Sequence, residues 1–284
     1  MQPLTIPATW PHRETSRRIA SPPHLWHAQI AGTGPDLLLL HGAGGATHSW
    51  RNLIPLLAPH YRTIAIDLPG QGFSRLGARD RCGLDPMATD IATLCAHENW
   101  HPTVIIGHSA GGVLALRLSE LMPLNAIIGI NAAISGFDGV AGWLFPAMAK
   151  LLSLTPFAAQ MFSRLSGTPA RAESLLASTG SKIDATGHAQ YLTLLRSPGH
   201  VDATLAMMAQ WRLDDLLTRL PRLTTPTLLL TGAADTTVPP TVSERAAARM
   251  PHAQWLNLPA LGHLAQEEAA PTLAAHILPF LAAH

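Results

Sequence analysis

The chain has 284 residues, of which 47% are hydrophobic and 13% are charged, and its formal net charge is +1. This length is sufficient for a large buried core, and the balanced charge argues against a nucleic-acid partner. Two cysteines, Cys82 and Cys95, are too few for a disulfide framework, and residues 1–20 lack the apolar segment of a signal peptide, so we expect a cytoplasmic protein.

Strand-like apolar runs and helical segments alternate along the chain, as in an α/β fold with a doubly wound, mostly parallel sheet. Strands are predicted near residues 25–31, 37–40, 63–67, 103–108 and 125–131, with helices near 50–58, 85–98 and 110–122. The alternation stops after residue 131 and resumes with strands near 227–231 and 253–258, a helix near 241–250 and a closing helix from about residue 266. We therefore predict a core of residues 1–131 and 214–284, with residues 132–213 inserted as an all-helical cap. The basic residues near the start, Arg13, Arg17 and Arg18, are interpreted as a solvated arm.

A serine between glycines follows the predicted strand near residue 103, in the sequence Gly107-His108-Ser109-Ala110-Gly111. An apolar helical stretch, residues 113–121, comes next. In a sharp strand-to-helix turn the serine hydroxyl stands clear of the sheet, and the residues two before and two after it must be small. The pentapeptide alone is a weak signal, but this context favours a nucleophile; a plain tight turn is the alternative.

Two further polar residues follow later strands, Asp235 after residues 227–230 and His263 after residues 255–258. The order serine, acid, histidine resembles that of the α/β-hydrolase family, and the resemblance extends from about residue 26 to the C-terminus. It implies an α/β-hydrolase fold in which Ser109 is the nucleophile, His263 the general base and then acid, and Asp235 the residue that orients the imidazole. The structural alternatives are a helix N-cap for Asp235 and a loop histidine for His263.

The glycine-rich segment 41–45 follows the predicted strand 37–40. By the same resemblance, the backbone N–H groups of Ala43 and Ala110 form the oxyanion hole. Asp67, at the end of the strand 63–67, is the alternative acid; it ranks below Asp235 because it opens a segment that resembles the structural turn of the family. The family often has histidine where this chain has Gln71, a departure that touches no implied catalytic role.

The composition of the cap indicates the kind of ligand. Residues 143–162 contain one charge, Lys150, and the prolines Pro146 and Pro156 would interrupt a membrane span, so two short apolar helices are predicted. Methionine and aromatic side chains adapt to irregular apolar ligands. We therefore predict a site for a large, flat or long apolar compound, whose candidate residues are Trp143, Phe145, Met148, Phe157, Met161, Met207 and Trp211, with His41 and His108 near the serine. The alternative is a lid that packs these side chains against the main domain.

Five segments narrow the resemblance, namely residues 10–14, 41–50, 136–142, 179–184 and 196–201. Together they resemble the α/β-hydrolase-fold proteins of bacteriochlorophyll biosynthesis described as magnesium-chelatase accessory proteins. This implies a role near the insertion of Mg²⁺ into protoporphyrin, with protoporphyrin IX or Mg-protoporphyrin as ligand and chelatase subunits as partners. Two functions stay open: a serine hydrolase of a tetrapyrrole ester or another apolar acyl compound, and a porphyrin-binding or delivery protein with an idle triad.

We predict no cofactor and no resident metal. The histidines lack the His-Glu-x-x-His spacing, the cysteines lack ligand spacing, and segment 41–45 lacks the ending of a phosphate loop. A cap histidine, His188 or His200, that ligates a metalloporphyrin is the alternative. Membrane contact is expected to be at most peripheral, through the apolar face of the cap.

Overall fold

The computed structural model of the protein describes residues 5–135 and 157–284. Within these residues, eight strands form one sheet. They are β1 (Ser16–Ser21), β2 (His24–Ala31), β3 (Asp36–Leu40), β4 (Arg62–Ile66), β5 (Val104–His108), β6 (Ala126–Ile130), β7 (Thr227–Gly232) and β8 (Ala253–Leu258).

The helices lie between and after these strands. They are α1 (Ile54–Leu57), α2 (Leu84–His97), α3 (Ala110–Leu118), α4 (Ala158–Ser166), α5 (Pro169–Ala177), α6 (Ala185–Leu195), α7 (Pro198–Gln210), α8 (Asp214–Arg219), α9 (Pro240–Ala247), α10 (Ala265–Glu268) and α11 (Ala270–Ala282), with short 3₁₀ turns at Arg13–Thr15, Thr47–Trp50, Arg79–Arg81 and Leu220–Arg222. None of the described helices is both long and apolar enough to span a bilayer.

The strand order is β1-β2-β4-β3-β5-β6-β7-β8. Strands β1 and β2 are antiparallel to their neighbours, whereas β3 to β8 run parallel, as the alternation of the sequence predicts. Because parallel strands end at the same edge, the loops after β3, β5, β6, β7 and β8 meet there. This edge carries the residues that the sequence analysis singled out.

Helices cover both faces of the sheet. Leu38 and Leu40 of β3 belong to the buried cluster that includes residues of α2 and α3, and Leu37 and Leu39 belong to the opposite cluster with α11. Side chains alternate between the two faces of a strand, and burial on both faces explains why β3 is apolar throughout.

The N-terminal segment differs from its prediction. It is not a solvated arm, because Ser16–Ser21 forms β1 and pairs with β2. Arg17 and Arg18 are exposed, whereas Ile19 and Ser21 are buried. The alternation covers only a few residues, which is too short to distinguish an edge strand from a polar arm by pattern.

The predicted cap contains α4 to α7 in its described residues, 132–135 and 157–213, and no strand. Its limits at residues 132 and 213 stay a prediction. A third buried cluster joins the cap to the core: Trp10 lies with Phe73 of the core and with Leu176 and Tyr191 of the cap. The Trp10 ring packs edge-on to Phe73 with centroids 4.6 Å apart, and its Nε1–H donates to Thr47 Oγ1 at 3.2 Å.

We expect Trp10→Ala to lower the free energy of unfolding by about 3–5 kcal/mol, because a large buried ring between cap and core would leave a cavity. Urea denaturation followed by circular dichroism measures the loss. Leu121→Ala is the matched control: Leu121 is 41% exposed, and its truncation should cost less than about 1 kcal/mol. A Trp10→Ala cost no larger than that of the control would contradict the assigned packing.

Candidate active site

Ser109 lies in a strained turn between β5 and α3. Its backbone angles are φ 52° and ψ −115°, which few residues other than glycine adopt. A Cβ at Gly107 would overlap the Gly111 carbonyl oxygen, and a Cβ at Gly111 would overlap that of Leu40. Both glycines are therefore required for this close approach, and the half-buried Ser109 is presented at the carboxyl edge of the sheet.

Asp235 and His263 form a hydrogen-bonded pair at the same edge. His263 Nδ1 lies 2.7 Å from Asp235 Oδ2, and both residues are 6% exposed. The other carboxylate oxygen accepts the backbone N–H groups of Thr237 at 2.7 Å and Val238 at 2.9 Å. The turn after β7 thus fixes the carboxylate, and the carboxylate holds the proton on Nδ1, so that Nε2 is the basic nitrogen.

Asn131 and His108 fix the main chain of His263. The Nδ2 group of Asn131 donates to the carbonyl oxygens of Gly262 and His263 at 3.0 and 2.8 Å, and its Oδ1 accepts the Gly232 N–H at 2.8 Å. His108 Nε2 lies 2.8 Å from the same His263 carbonyl oxygen and donates to it. Asn131 was not predicted from the sequence, although an asparagine directly after a buried strand is a usable signal, and its φ of 46° is one that asparagine tolerates.

A segment of the cap also supports the histidine and the acid. We name residues Thr179–Lys182, between α5 and α6, the cap strap. Its Thr179 carbonyl oxygen accepts the N–H groups of His263 at 3.2 Å and Thr236 at 3.4 Å. Ser181 Oγ accepts the Leu264 N–H at 2.8 Å. The loops that carry His263 and Asp235 are therefore bridged by the cap.

The cap strap packs closely against the loops that carry Asp235 and His263, because residues 180 and 262 at the contact are both glycines. A Cβ at Gly180, whose φ is +78°, would overlap the Ala234 carbonyl oxygen, and a Cβ at Gly262 would overlap the backbone of Gly180. Glu268 closes the contact from the other side, since its carboxylate accepts the N–H groups of Gly262 at 2.9 Å and Lys182 at 3.1 Å.

The loop after β3 approaches Ser109 from the neighbouring strand. A Cβ at Gly42 would lie 3.0 Å from the Ser109 Cβ, which leaves room only for glycine. The Ala43 N–H has no partner in the described residues, and Ala110 is the first residue of α3, so its N–H has none within the helix. Two backbone donors on the segments that flank Ser109 are thus without a partner among the described residues. The Ser109 hydroxyl likewise makes no hydrogen bond to a described residue.

Asp67, the alternative acid, lies elsewhere and is fully buried. Its carboxylate bonds His27 Nδ1 at 2.7 Å and accepts the N–H groups of Thr47 at 2.7 Å and Phe73 at 2.8 Å. Burial acts to raise the pKa of Asp67, but His27, His41 and the Phe73 N–H outweigh it, and the pKa lies below its usual value. Asp67 thus connects β2, the loop after β3 and the turn after β4, and it does not face His263.

Two histidines expected near the ligand have a different task. His41 is fully buried, donates from Nδ1 to the Gly42 carbonyl oxygen at 2.7 Å and accepts the Leu68 N–H at Nε2, at 2.9 Å. His108 is 4% exposed and lies between Gly42 and the main chain of His263. These rings therefore hold the two loops through their polar atoms, and their contact with a ligand stays a prediction.

The predicted lining residues of the cap are not brought together by the described structure. Trp143, Phe145 and Met148 lie outside the described residues. Phe157 and Met161 are 76% and 57% exposed, whereas Met207 is buried in the core cluster and Trp211 packs against that cluster. An apolar pocket formed by this set stays a prediction.

The structure does not support His200 as the cap histidine that ligates a metalloporphyrin. This residue is 3% exposed, and both of its ring nitrogens are hydrogen-bonded within the protein, so neither is available to a metalloporphyrin. Within residues 5–135 and 157–284, no group of three or more histidine, cysteine or acidic side chains could hold a metal ion.

Five described histidines are held neutral by burial. Burial lowers the pKa of each, and that of His200 falls to about 4; the others are His24, His41, His48 and His108. In the unfolded chain these groups take up protons near pH 6.5, whereas in the folded chain they do so at lower pH. Each therefore contributes stability above pH 6.5 that is lost as the pH falls toward its folded pKa.

We expect the free energy of unfolding to fall steadily between pH 7.5 and pH 5, with a contribution from His200 alone of up to about 3 kcal/mol at the end of its titration. Urea titrations at pH 7.5, 6 and 5 measure the change. Constant stability over this interval would show that the buried rings titrate as freely as in the unfolded chain.

Residues 35–270 match the family described as alpha/beta hydrolase fold, and the chain belongs to this family. It is 46% identical over 283 residues to the magnesium-chelatase 30 kDa subunit of Rhodobacter capsulatus, with 99% of each chain covered. It is also 30% identical over 239 residues to a pimeloyl-[acyl-carrier protein] methyl ester esterase of Xanthomonas oryzae pv. oryzae, with 84% of this chain and 91% of the esterase covered.

Solved structures agree in fold. An esterase from Thermogutta terrifontis superposes with a TM-score of 0.75 at 24% identity, covering 94% of this chain and 97% of its own. A serine hydrolase involved in carbazole degradation gives a TM-score of 0.77 at 22% identity, covering 95% and 99%. The predicted fold and the narrower resemblance are confirmed, and the family and its esterase relatives support hydrolase activity in general.

Proposed function

We propose that the protein is a serine hydrolase of bacteriochlorophyll biosynthesis, which cleaves an apolar, tetrapyrrole-related ester or acyl compound near the magnesium-chelatase step. The observation that carries the hydrolase part is the pair of His263 and Asp235 at the strand edge that presents Ser109. The relative named as a magnesium-chelatase subunit, which matches end to end, supports the pathway.

The reaction begins with attack of the Ser109 hydroxyl on the acyl carbon. His263 Nε2 takes the hydroxyl proton, and the Asp235 carboxylate stabilises the imidazolium that results. Donation of that proton to the leaving group releases the alcohol and leaves an acyl-serine. A water molecule, activated by the same imidazole, then hydrolyses the acyl-serine and restores the hydroxyl.

The N–H groups of Ala43 and Ala110 are the donors for the oxyanion that forms at each attack. They come from the loop after β3 and from the start of α3, and they carry no competing hydrogen bond in the described protein. Removal of one such donor costs about 3–4 kcal/mol of transition-state stabilisation in enzymes of this kind.

The substrate class follows from the cap and the relatives together. The apolar composition of residues 143–162 suits a large hydrophobic acyl compound, and one relative is named as a methyl ester esterase. We place the protein in the cytoplasm, with porphyrin intermediates as ligands, magnesium-chelatase subunits as partners and at most peripheral membrane contact. The exposed apolar side chains Phe157, Met161 and Leu165 would make that contact.

A fluorophosphonate probe should label Ser109, and the protein should cleave small activated esters such as p-nitrophenyl butyrate. Ser109→Ala or His263→Ala should lower kcat by roughly three orders of magnitude or more with the fold intact, because nucleophile and base act as one unit. Mass spectrometry of the labelled peptide and steady-state assays measure both.

Two aspartate variants provide the matched comparison. Asp235→Asn should lower kcat strongly because it favours the wrong imidazole tautomer, whereas Asp67→Asn should act on stability. Undiminished turnover in Ser109→Ala would exclude Ser109 as the nucleophile. A loss of kcat in Asp67→Asn with none in Asp235→Asn would exclude Asp235 as the residue that orients His263.

A second function is favoured by the 46% identity to a protein named as a chelatase subunit. In it, the protein holds a porphyrin under the cap and delivers it to the chelatase, which requires no covalent step. A deletion strain carrying Ser109→Ala, expressed at wild-type level, separates the two functions.

We expect such a strain to stay deficient in bacteriochlorophyll, because hydrolysis needs the hydroxyl and delivery does not. The variant must still quench its tryptophan fluorescence with protoporphyrin IX as the wild type does, so that pocket damage is separated from lost chemistry. Recovery of pigment by Ser109→Ala would favour the delivery function.

A further inference from the structure

We propose that His200, on the cap helix α7, is a positioning residue for the oxyanion loop, defined as residues 41–45. The inference deepens the proposed hydrolase function and rests on it, since it assigns the Ala43 N–H to the oxyanion. It makes the cap a part of the catalytic machinery as well as a cover for the substrate.

His200 bridges two loops of the core. Its Nδ1 accepts the Gly72 N–H at 2.9 Å, and its Nε2 lies 3.1 Å from the Gly44 carbonyl oxygen. A backbone N–H can only donate, so Nδ1 carries the lone pair and Nε2 the proton that is donated to Gly44. One neutral ring thus joins the oxyanion loop to the turn after β4.

Gly44 is the residue through which the ring acts on Ala43. Its carbonyl oxygen is held by His200 and its N–H donates to Gln71 Oε1 at 2.8 Å, so both of its peptide groups are fixed from outside the loop. Gly44 has φ +78°, which only glycine adopts readily. Without these bonds the segment after Ala43 would be restrained, among the described residues, only by the internal Gly45 to Gly42 hydrogen bond of 3.0 Å, because the other anchor of the loop, His41, lies before Ala43.

One face of α7 makes all these contacts. Residues 200, 203, 204 and 207 follow the i, i+3, i+4, i+7 spacing of a single helix face. Met207 Sδ accepts from Gln71 Nε2 at 3.2 Å, Ala203 packs where Gly70 has no side chain, and Thr204 faces Gly44. The helix therefore rests on the loop and the turn together.

Loss of the His200 contact with Gly44 is expected to lower kcat more than it changes KM. The oxyanion exists only in the transition state and the tetrahedral intermediate, so a displaced Ala43 N–H lowers kcat while substrate binding is retained. A residue needed only for folding would instead lower the melting temperature, without separating kcat from KM.

Two substitutions at position 200 separate the two bonds. In His200→Gln the amide N–H₂ can reach the Gly44 carbonyl oxygen, whereas in His200→Asn the amide oxygen replaces Nδ1 toward Gly72 and the bond to Gly44 is lost. His188→Asn is the matched control, because His188 is a cap histidine whose ring, among the described residues, bonds only the carbonyl oxygen of Asp184, the residue before α6.

With p-nitrophenyl butyrate, we expect kcat of His200→Asn to fall on the order of 10-fold or more, with KM within about twofold of wild type. His200→Gln should stay within about threefold of wild type, and His188→Asn should be unchanged. Affinity for a trifluoromethyl ketone, which forms an oxyanion on the serine, should fall in parallel with kcat. Equal losses in the two His200 variants, or a change in KM alone, would overturn the proposal.

Amide hydrogen exchange of residues 41–45 gives a readout independent of activity. Exchange there should be faster in His200→Asn than in His200→Gln, and unchanged in His188→Asn. If wild-type protein neither reacts with the fluorophosphonate nor cleaves esters, the hydrolase function fails, and exchange alone then decides whether His200 holds the loop. Equal exchange in the two variants would exclude that role.

Discussion

The side-chain amide of Asn131 is the interaction on which the geometry of the strand edge depends. Its donor group holds the carbonyl oxygens of Gly262 and His263, and its acceptor holds the N–H of Gly232. The Asn131 amide thereby joins three segments that are far apart in sequence: the end of β6, the end of β7 and the loop that carries His263. A buried amide is costly unless all its hydrogen bonds are made, so this residue favours one arrangement of the three segments over alternatives.

Around that amide, the supports come from both the core and the cap. On one side, the turn after β7 fixes the Asp235 carboxylate and the cap strap holds the main chain of His263. On the other, His200 and Gln71 hold the loop that carries Ala43. Each contact alone contributes about 1 kcal/mol, which is small beside the free energy of folding. In the proposed hydrolase their importance is geometric, because a nucleophile, its base and its oxyanion donors must agree in position within a fraction of an ångström.

The fold, and the position of Ser109, Asp235 and His263 at one edge of the sheet, could be predicted from the sequence. Strand ends, glycine turns and residue order are local signals. Sequence reasoning did not find Asn131, the cap strap or the role of His200. Those depend on hydrogen bonds between residues 57 to 156 positions apart in the chain, and a single polar residue in a loop does not show which partner it meets. The edge strand β1 was missed for a different reason: its alternation is short, and two of its three exposed residues, Arg17 and Arg18, are charged. Asp67 shows the converse: its place at a strand end fits a catalytic acid, but its segment resembles a structural turn, and its contact with His27 supports that interpretation.

The close fit of Gly180 against Ala234 and Gly262 limits how the cap can evolve. Cap insertions are often regarded as exchangeable modules that change substrate range on a constant core. A chimaera with a foreign cap would lose the Thr179 carbonyl oxygen, which accepts the backbone N–H of His263. It would also lose Gly180, which packs between the loops that carry Asp235 and His263. A cap with a new substrate specificity would therefore have to retain the cap strap while the helices on either side of it change. We expect these four residues to vary more slowly in evolution than the rest of the cap.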